Sequence, residues 1–395
     1  MTLFVQSEGG QAGGSGNIYK ASNAQGETFA LKRLKISATS ASTESSEKPR
    51  RKELRHSSGS SNSSSPIPEY VTQGSAAAFY EEYRIHLAIG QLRGFPQVFG
   101  FGLIGNDPVI VMEWVEGATL RKALREREKR EGSPLPLMAA VDLGIAILDA
   151  LERANALEQG FVHRDLSPRN IMLRGDRTSP EQQLRTGEFD LCLIDFGSAS
   201  PQLQTGADPT FTMSAGVWRM GTPAYAPPEM LSSDIAFPDG YRQSETIDTY
   251  ALCSILYELY SGHTPYRIDP HGDASLYRIK TEQAPIRLVA RDPDGGALAR
   301  VIEIGLSPSQ EHRPQIKQLK AALENWKRLP SQRSVEAVGL DSASPRDLWQ
   351  PDRALKTLTR RRLLAGGIII AAGIVSGALI LGRKPNSTPS LDLAR

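Results

Sequence analysis

The stretch His163-Arg164-Asp165-Leu166-Ser167-Pro168-Arg169-Asn170 decides how the rest of the chain is read. It sets a carboxylate, Asp165, five residues before an amide, Asn170, in a loop that leads into the apolar strand IMLR at 171–174. Thirty residues after Asp165 stands a second carboxylate, in Asp195-Phe196-Gly197, directly behind the apolar run LCLI at 191–194. A carboxylate at the end of a buried strand can hold a hard divalent cation. Either motif arises by chance when alone; the order and spacing of the two together are specific.

The two motifs are similar to those of the eukaryotic-type (Hanks-type) protein serine/threonine kinase family. Phosphoryl transfer from ATP needs donors over the phosphates, a cation on the α/β-phosphates, Mg²⁺ ligands and a carboxylate that orients the hydroxyl nucleophile. The resemblance implies that Asp165 accepts or orients the hydroxyl proton and that Asn170 and Asp195 bind Mg²⁺ (or Mn²⁺). Gly221-Thr222-Pro223-Ala224-Tyr225-Ala226-Pro227-Pro228-Glu229 resembles the end of a kinase activation segment. There Glu229 is expected to pair with Arg313, and Asp248 to brace the catalytic-loop backbone. These three are read as structural. Their presence argues against a small-molecule kinase of related fold.

In the N-terminal part, Lys32 ends the run Phe29-Ala30-Leu31-Lys32 and matches the family's strand lysine. Its expected carboxylate partner is Glu82 and not the adjacent Glu81, because Phe79 and Tyr83 then take packing positions. The glycine-rich loop aligns to Gln11-Ala12-Gly13-Gly14-Ser15-Gly16-Asn17-Ile18, with Gln11 in place of the first glycine. Gly13 and Gly16 still permit close backbone approach to phosphate. Val109-Ile110-Val111-Met112-Glu113-Trp114-Val115 resembles the hinge. By that resemblance Met112 is the gatekeeper, backbone groups of Glu113 and Val115 meet adenine, and Ile18, Ala30 and Leu173 sandwich the ring. Ser167 departs from the family, whose Ser/Thr members usually carry Lys there. Arg169, four residues after Asp165, is expected to neutralise the γ-phosphate instead. Thr222 points to Ser/Thr specificity.

Hydrophobic periodicity predicts strands at 2–6, 17–22, 28–34, 97–104 and 108–114, and helices at 75–92, 119–130, 137–159, 248–261, 297–305 and 316–328. The first of these helices is expected to turn Phe79, Tyr83, Leu87 and Leu92 to one face. The expected architecture is therefore α+β and bilobal. A small antiparallel β-rich N-lobe with one helix precedes a large, mainly helical C-lobe over residues 1–328. Residues 37–74, rich in serine and poor in large apolar side chains, read as a disordered insertion. A polar linker is expected over 329–360.

Residues 363–382, LLAGGIIIAAGIVSGALILG, carry no charge over 20 positions and match the thickness of a bilayer as a helix. A buried core helix would ordinarily show a polar face. Arg360, Arg361 and Arg362 precede the run, and Arg383 and Lys384 follow it, ahead of a short tail at 383–395. The expectation is a single-pass membrane protein with a cytoplasmic kinase domain, at a bacterial inner membrane, the small residues of the span offering a homodimer contact.

The net charge of +2 gives no reason to expect a nucleic-acid partner. Two cysteines, Cys192 and Cys253, each sit in an apolar run and read as core thiols of a reducing compartment. The expected partners are proteins offering Ser or Thr, ATP and the membrane. Arg164 beside Asp165 suggests control by phosphorylation at Ser198, Ser200, Thr205, Thr210, Thr212 or Ser214. A pseudokinase scaffold is the rival that Gln11 and Ser167 keep open.

Overall fold

The computed structural model describes residues 3–5, 11–13, 16–34, 74–105, 107–157, 160–197, 199, 222–231, 240–267, 276–289 and 295–328. The serine-rich stretch (save Gly74), the linker, the span at 363–382, the tail and the six candidate phosphorylation positions lie outside them. Among the described residues no helix is long and apolar enough to cross a membrane.

The N-terminal part is one antiparallel sheet. Its strands are β1 (Phe4–Val5), β2 (Gln11–Gly13), β3 (Gly16–Ser22), β4 (Thr28–Arg33), β5 (Val98–Ile104) and β6 (Asp107–Glu113). They lie in the order β1-β3-β4-β6-β5, and β2 also pairs with β3. The glycine-rich stretch is thus itself part strand, with Gly13 opposite Gly16. Pleating sends alternate side chains to opposite faces. Leu31 packs with Ala21 and Val109 on one face, while Lys32, opposite Ile110, takes the other. On that second face helix α1 (Gly74–Ile89) seats Phe79 against Ile110 and Leu34.

The buried stripe of α1 is Phe79, Glu82, Ile85, His86 and Ile89. This corrects the expected face. Leu87 is 49% exposed, and Leu92 lies in the turn beyond the helix, against the large-lobe core. A single helical stripe leaves room for residues three and four apart, and Glu82 with His86 fills the slot that hydrophobicity alone gave to Leu87.

The large lobe begins after the hinge with β7 (Gly117–Thr119), α2 (Leu120–Glu131) and α3 (Leu137–Asn155). Thr119 caps α2 by accepting a hydrogen bond from the Lys122 N–H at 3.2 Å. Strand β7 pairs with β8 (Ile171–Arg174), and β8 with β9 (Leu191–Leu193). Gly117 has φ +135°, and a Cβ there would lie 2.0 Å from the Leu173 carbonyl oxygen, so only glycine lets the chain leaving the hinge close on β8. Four more helices complete the described lobe beyond α4 (Pro180–Thr186): α5 (Thr246–Ser261), α6 (Leu276–Glu282), α7 (Gly295–Gly305) and α8 (Ile316–Arg328). Helices α4 and α6 have seven residues each, too few turns to leave a readable period.

Helix α5 is buried along nearly its whole length. Tyr250, Leu252, Ile255 and Leu256 join α3 (Leu143, Ile147, Leu151), α7 (Leu298, Ile302) and α8 (Leu319, Leu323, Trp326) in one core. Each such apolar side chain contributes about 1.5–3 kcal/mol on burial. At its edge Glu229, in the 3-10 turn Pro228–Met230, receives Arg313 Nη1 at 2.6 Å and Nη2 at 3.0 Å. Arg313 also donates to the carbonyls of Ser307 (2.7 Å) and Pro308 (2.9 Å). Arg313→Ala strands the Glu229 charge in a dry site. A loss of about 3–5 kcal/mol is expected, read as a lowered guanidinium midpoint with an unchanged denaturant slope.

Candidate active site

Strand β4 delivers Lys32 to the face covered by α1, and α1 turns Glu82 toward it. Lys32 Nζ forms an ion pair with Glu82 Oε1 and a second, at 2.6 Å, with Asp195 Oδ1. Lys32 and Glu82 are almost wholly buried, so Glu81 plays no part; it lies beside Arg84 on the outer side of α1. Burial by itself would lower the Lys32 pKa. The two carboxylates outweigh it and hold the amine charged, above its ordinary value.

Asp195 reaches this pair because β9 ends at Leu193 and the chain turns through it with φ +66°. Arg164 has φ +65°. These are the two described non-glycine residues in the left-handed region, where each costs about 1–3 kcal/mol unless its surroundings impose it. For Arg164 the imposing group is Asp248 at the start of α5. Its carboxylate accepts from the His163 N–H (2.7 Å) and the Arg164 N–H (2.9 Å). Asp248 is fully buried, which pushes its carboxyl pKa up even though these donors oppose the shift. Burial likewise pulls the Arg164 pKa down to about 10, with Asp248 opposing and Arg242 adding to the effect.

The loop so braced holds Asp165. Its Oδ1 accepts from the Thr222 N–H at 2.7 Å and the Thr222 hydroxyl at 2.8 Å. Asn170 Nδ2 donates to the Asp165 main-chain oxygen (2.8 Å) and Oδ2 (3.0 Å). The Ile194 N–H donates to the Asn170 main-chain oxygen at 2.9 Å. That bond sets the Asn170 loop beside the residue preceding Asp195. With the Asn170 nitrogen committed to Asp165, its carbonyl oxygen is left to face a cation. The donor set of an amide oxygen and the Asp195 carboxylate is all oxygen and suits Mg²⁺. Among the described residues no cluster of three or more His, Cys, Asp or Glu side chains offers another metal site.

The hinge residues lie where β6 leaves the sheet. Met112 pairs with Ala30 across β4 and β6, and Ile18 is opposite Lys32 on β3. Val115 follows in the segment that joins the lobes. Leu173 is a correction. It is fully buried in the large-lobe core with Ile171 and Leu193, so it does not face adenine with Ile18 and Ala30. Its neighbour Met172 is half-buried and shares the opposite strand face with Arg174, whose guanidinium pairs with the Glu113 carboxylate of the hinge. An all-apolar run gives no alternation from which to choose between the two.

Arg169 is exposed. Ser167 is buried, and its hydroxyl has no hydrogen-bond partner among the described residues. Gly13 and Gly16 sit in the paired ends of β2 and β3, while Gly14 and Ser15 fall outside the described residues. Sequence reasoning also missed Arg174 and His86. His86 Nε2 donates to the Pro96 carbonyl at 2.9 Å, and its ring packs on Phe196 at 4.7 Å between centroids.

Residues 9–322 match the family model of the protein kinase domain. The chain belongs to the eukaryotic-type protein kinase family. Among curated relatives, this chain is 33% identical over 184 residues to serine/threonine-protein kinase PknL of Mycobacterium tuberculosis, covering 47% of its own length and 37% of that protein. It is 36% identical over 178 residues to serine/threonine-protein kinase PkaB of Streptomyces coelicolor, covering 45% and 37%. With PkaA of the same organism it shares 32% over 221 residues, covering 55% and 34%. The chain thus spans little more than a third of the length of these relatives.

Burial holds the His86 pKa at about 4, below its ordinary 6.5. The unfolded chain therefore takes up the proton first as pH falls. Stability should drop between about pH 6.5 and pH 4, by on the order of 3 kcal/mol at the low end. Urea midpoints measured across that range are expected to fall less steeply in His86→Gln than in the wild type.

Proposed function

We propose that the chain is an ATP- and Mg²⁺-dependent protein serine/threonine kinase. The observation that carries this reading is the double pairing of one buried amine: Lys32 meets Glu82 and Asp195 at once, with Asp165 fixed nearby by Asn170 and Thr222. A charge held this way is in place before ATP arrives, so little reorganisation is left for the chemical step.

In the proposed reaction Lys32 contacts the α/β-phosphates, while backbone groups of Glu113 and Val115 receive adenine. Ile18, Ala30, Met112 and, in place of Leu173, Met172 line the ring. Gly13 and Gly16 lie over the phosphates. Asn170 and Asp195 would hold Mg²⁺ (or Mn²⁺), which when bound neutralises phosphate charge. Asp165 orients the Ser or Thr hydroxyl and accepts its proton as the oxygen bonds to the γ-phosphorus and ADP leaves. Arg169, exposed at the mouth of the loop, supplies positive charge that Ser167 cannot. Thr222, through its hydroxyl on Asp165, favours Ser/Thr over Tyr acceptors, the class to which the serine/threonine-protein kinases PknL and PkaB belong.

We further propose that residues 363–382 anchor the enzyme in a membrane, with the kinase domain on the cytoplasmic side and a homodimer contact through the small residues of the span. Autophosphorylation at Ser198, Ser200, Thr205, Thr210, Thr212 or Ser214 belongs to the same proposal. The pseudokinase alternative rests on Gln11 in place of the first loop glycine and on Ser167 where a cation is usual, its buried hydroxyl unpartnered among the described residues.

Radiolabelled ATP and a generic protein substrate decide between them. The wild type should place label on Ser and Thr. Asp165→Asn should reduce transfer by roughly 10²- to 10⁴-fold, and Asp195→Ala should abolish it. No label above the Asp195→Ala background would leave a scaffold, and label on small molecules but not protein would leave a metabolite kinase.

A further inference from the structure

Helix α6 carries a lysine with no exposure to water. Lys280 is 0% exposed, and lysine is almost never fully buried without a partner. Among the described residues it has no carboxylate within ion-pair distance. The nearby Glu229 carboxylate is already engaged by both Nη atoms of Arg313. What meets Lys280 Nζ is main chain. It donates to the carbonyl oxygens of Pro223 at 2.8 Å, Ala224 at 3.3 Å and Ala226 at 2.6 Å. The rings of Tyr250 and Tyr266 stand 5.4 and 5.7 Å away, within cation–π range.

The numbers of donors and acceptors correspond. An ammonium has three N–H groups and no lone pair, and three carbonyls converge on it. Those carbonyls belong to the turn that follows Thr222, closed by the Tyr225 and Ala226 N–H groups on the Thr222 carbonyl, each at 3.0 Å. Thr222 is the residue fastened to Asp165. The far side of the turn is tied down as well. Tyr225 donates to Glu258 at 2.6 Å and meets Arg121, whose own N–H donates to the Pro168 carbonyl of the catalytic loop at 2.8 Å.

We propose that Lys280 is a positioning residue whose charged amine clamps the 222–226 turn and so sets the seat of the protein substrate beside Asp165. The proposal deepens the kinase reading and rests on it for the word substrate; the clamp itself does not. A neutral amine keeps two N–H donors and gains a lone pair, so one of the three carbonyls then faces no donor. The clamp therefore weakens when Lys280 loses its proton. The groups that face it are Tyr250 of α5, Tyr266 of the following loop, Glu229 of the 3-10 turn and Arg313. Burial lowers its pKa to about 7, with Glu229 opposing the shift and Arg313 adding to it. Arg278 and Glu282 of the same helix pair with each other at the exposed surface.

The sign separates the clamp from general unfolding. Lys280 holds its proton less tightly in the fold than in the unfolded chain. Its contribution to global stability therefore rises between about pH 7 and its ordinary 10.5, while the turn loosens over the first part of that range.

Amide hydrogen exchange on the full chain without nucleotide, corrected for intrinsic pH dependence, tests this. In the wild type, protection of Tyr225 and Ala226 is expected to fall by about tenfold or more from about pH 6 to pH 9, the scale of one lost charge-assisted hydrogen bond. Amides of α3 and α5 should stay protected. Lys280→Met should show the loosened turn at both pH values, with no remaining pH dependence. In the phosphorylation assay it should raise KM for a Ser peptide by roughly tenfold and leave KM for ATP unchanged. Wild-type protection that is flat with pH overturns the proposal even if the variant fails to fold, as does a Lys280→Met turn as protected as the wild type. If the turn responds as expected while no form of the chain transfers phosphate, the clamp stands and the kinase reading fails.

Discussion

One amine, kept from water, organises the small lobe and joins it to the large one. An ammonium buried without partners would cost several kcal/mol, so a fold that buries Lys32 has to bring carboxylates to it. Glu82 comes from α1 and Asp195 from the end of β9. The register of β4 against β6, the rotation of α1 and the left-handed turn at Asp195 all serve that convergence. If α1 rotates so that Glu82 turns away, Lys32 loses one of its two carboxylates and Phe79 leaves its contact with Ile110. Packing and electrostatics select the same helix rotation, which makes the arrangement specific as well as stable.

The large lobe repeats the device with different atoms. Asp248 is buried against backbone N–H groups, Glu229 against a guanidinium, and Lys280 against backbone carbonyls. In each case a charge from α5, α6 or the turns around them holds a stretch that has no regular structure of its own. The catalytic loop and the 222–226 turn could not retain one conformation by hydrophobic burial alone, because their main-chain polar groups outnumber their apolar side chains. Buried charge supplies direction where the hydrophobic effect supplies only compaction.

Much of this was legible in the order of residues. The spacing of Asp165 and Asn170 and the strand before Asp195 are local patterns, and the structure joins the two segments by a single bond from Ile194 to Asn170. The choice of Glu82 followed from where Phe79 had to pack. What escaped has a common cause: burial decided by neighbours distant in sequence. Met172 and Leu173 differ only in which strand face they take, and an apolar triplet hides that parity. Leu87 looked like a core residue until His86 took the inner position through its bond to Pro96. Lys280 lies in a helix too short to leave a readable period, and nothing local announces three carbonyls more than fifty residues upstream.

The backbone at Asp195 separates two properties that side-chain substitution usually mixes. Its φ of +66° is one that glycine adopts without strain and alanine resists. Alanine there removes the carboxylate and also disfavours the turn, releasing Phe196 from the aromatic stack it makes with His86, Phe95 and Phe161. Glycine removes the carboxylate alone. The pair of variants therefore divides the residue's work between geometry and charge, and the same reasoning applies at Arg164, where the strained torsion is imposed from beneath by Asp248.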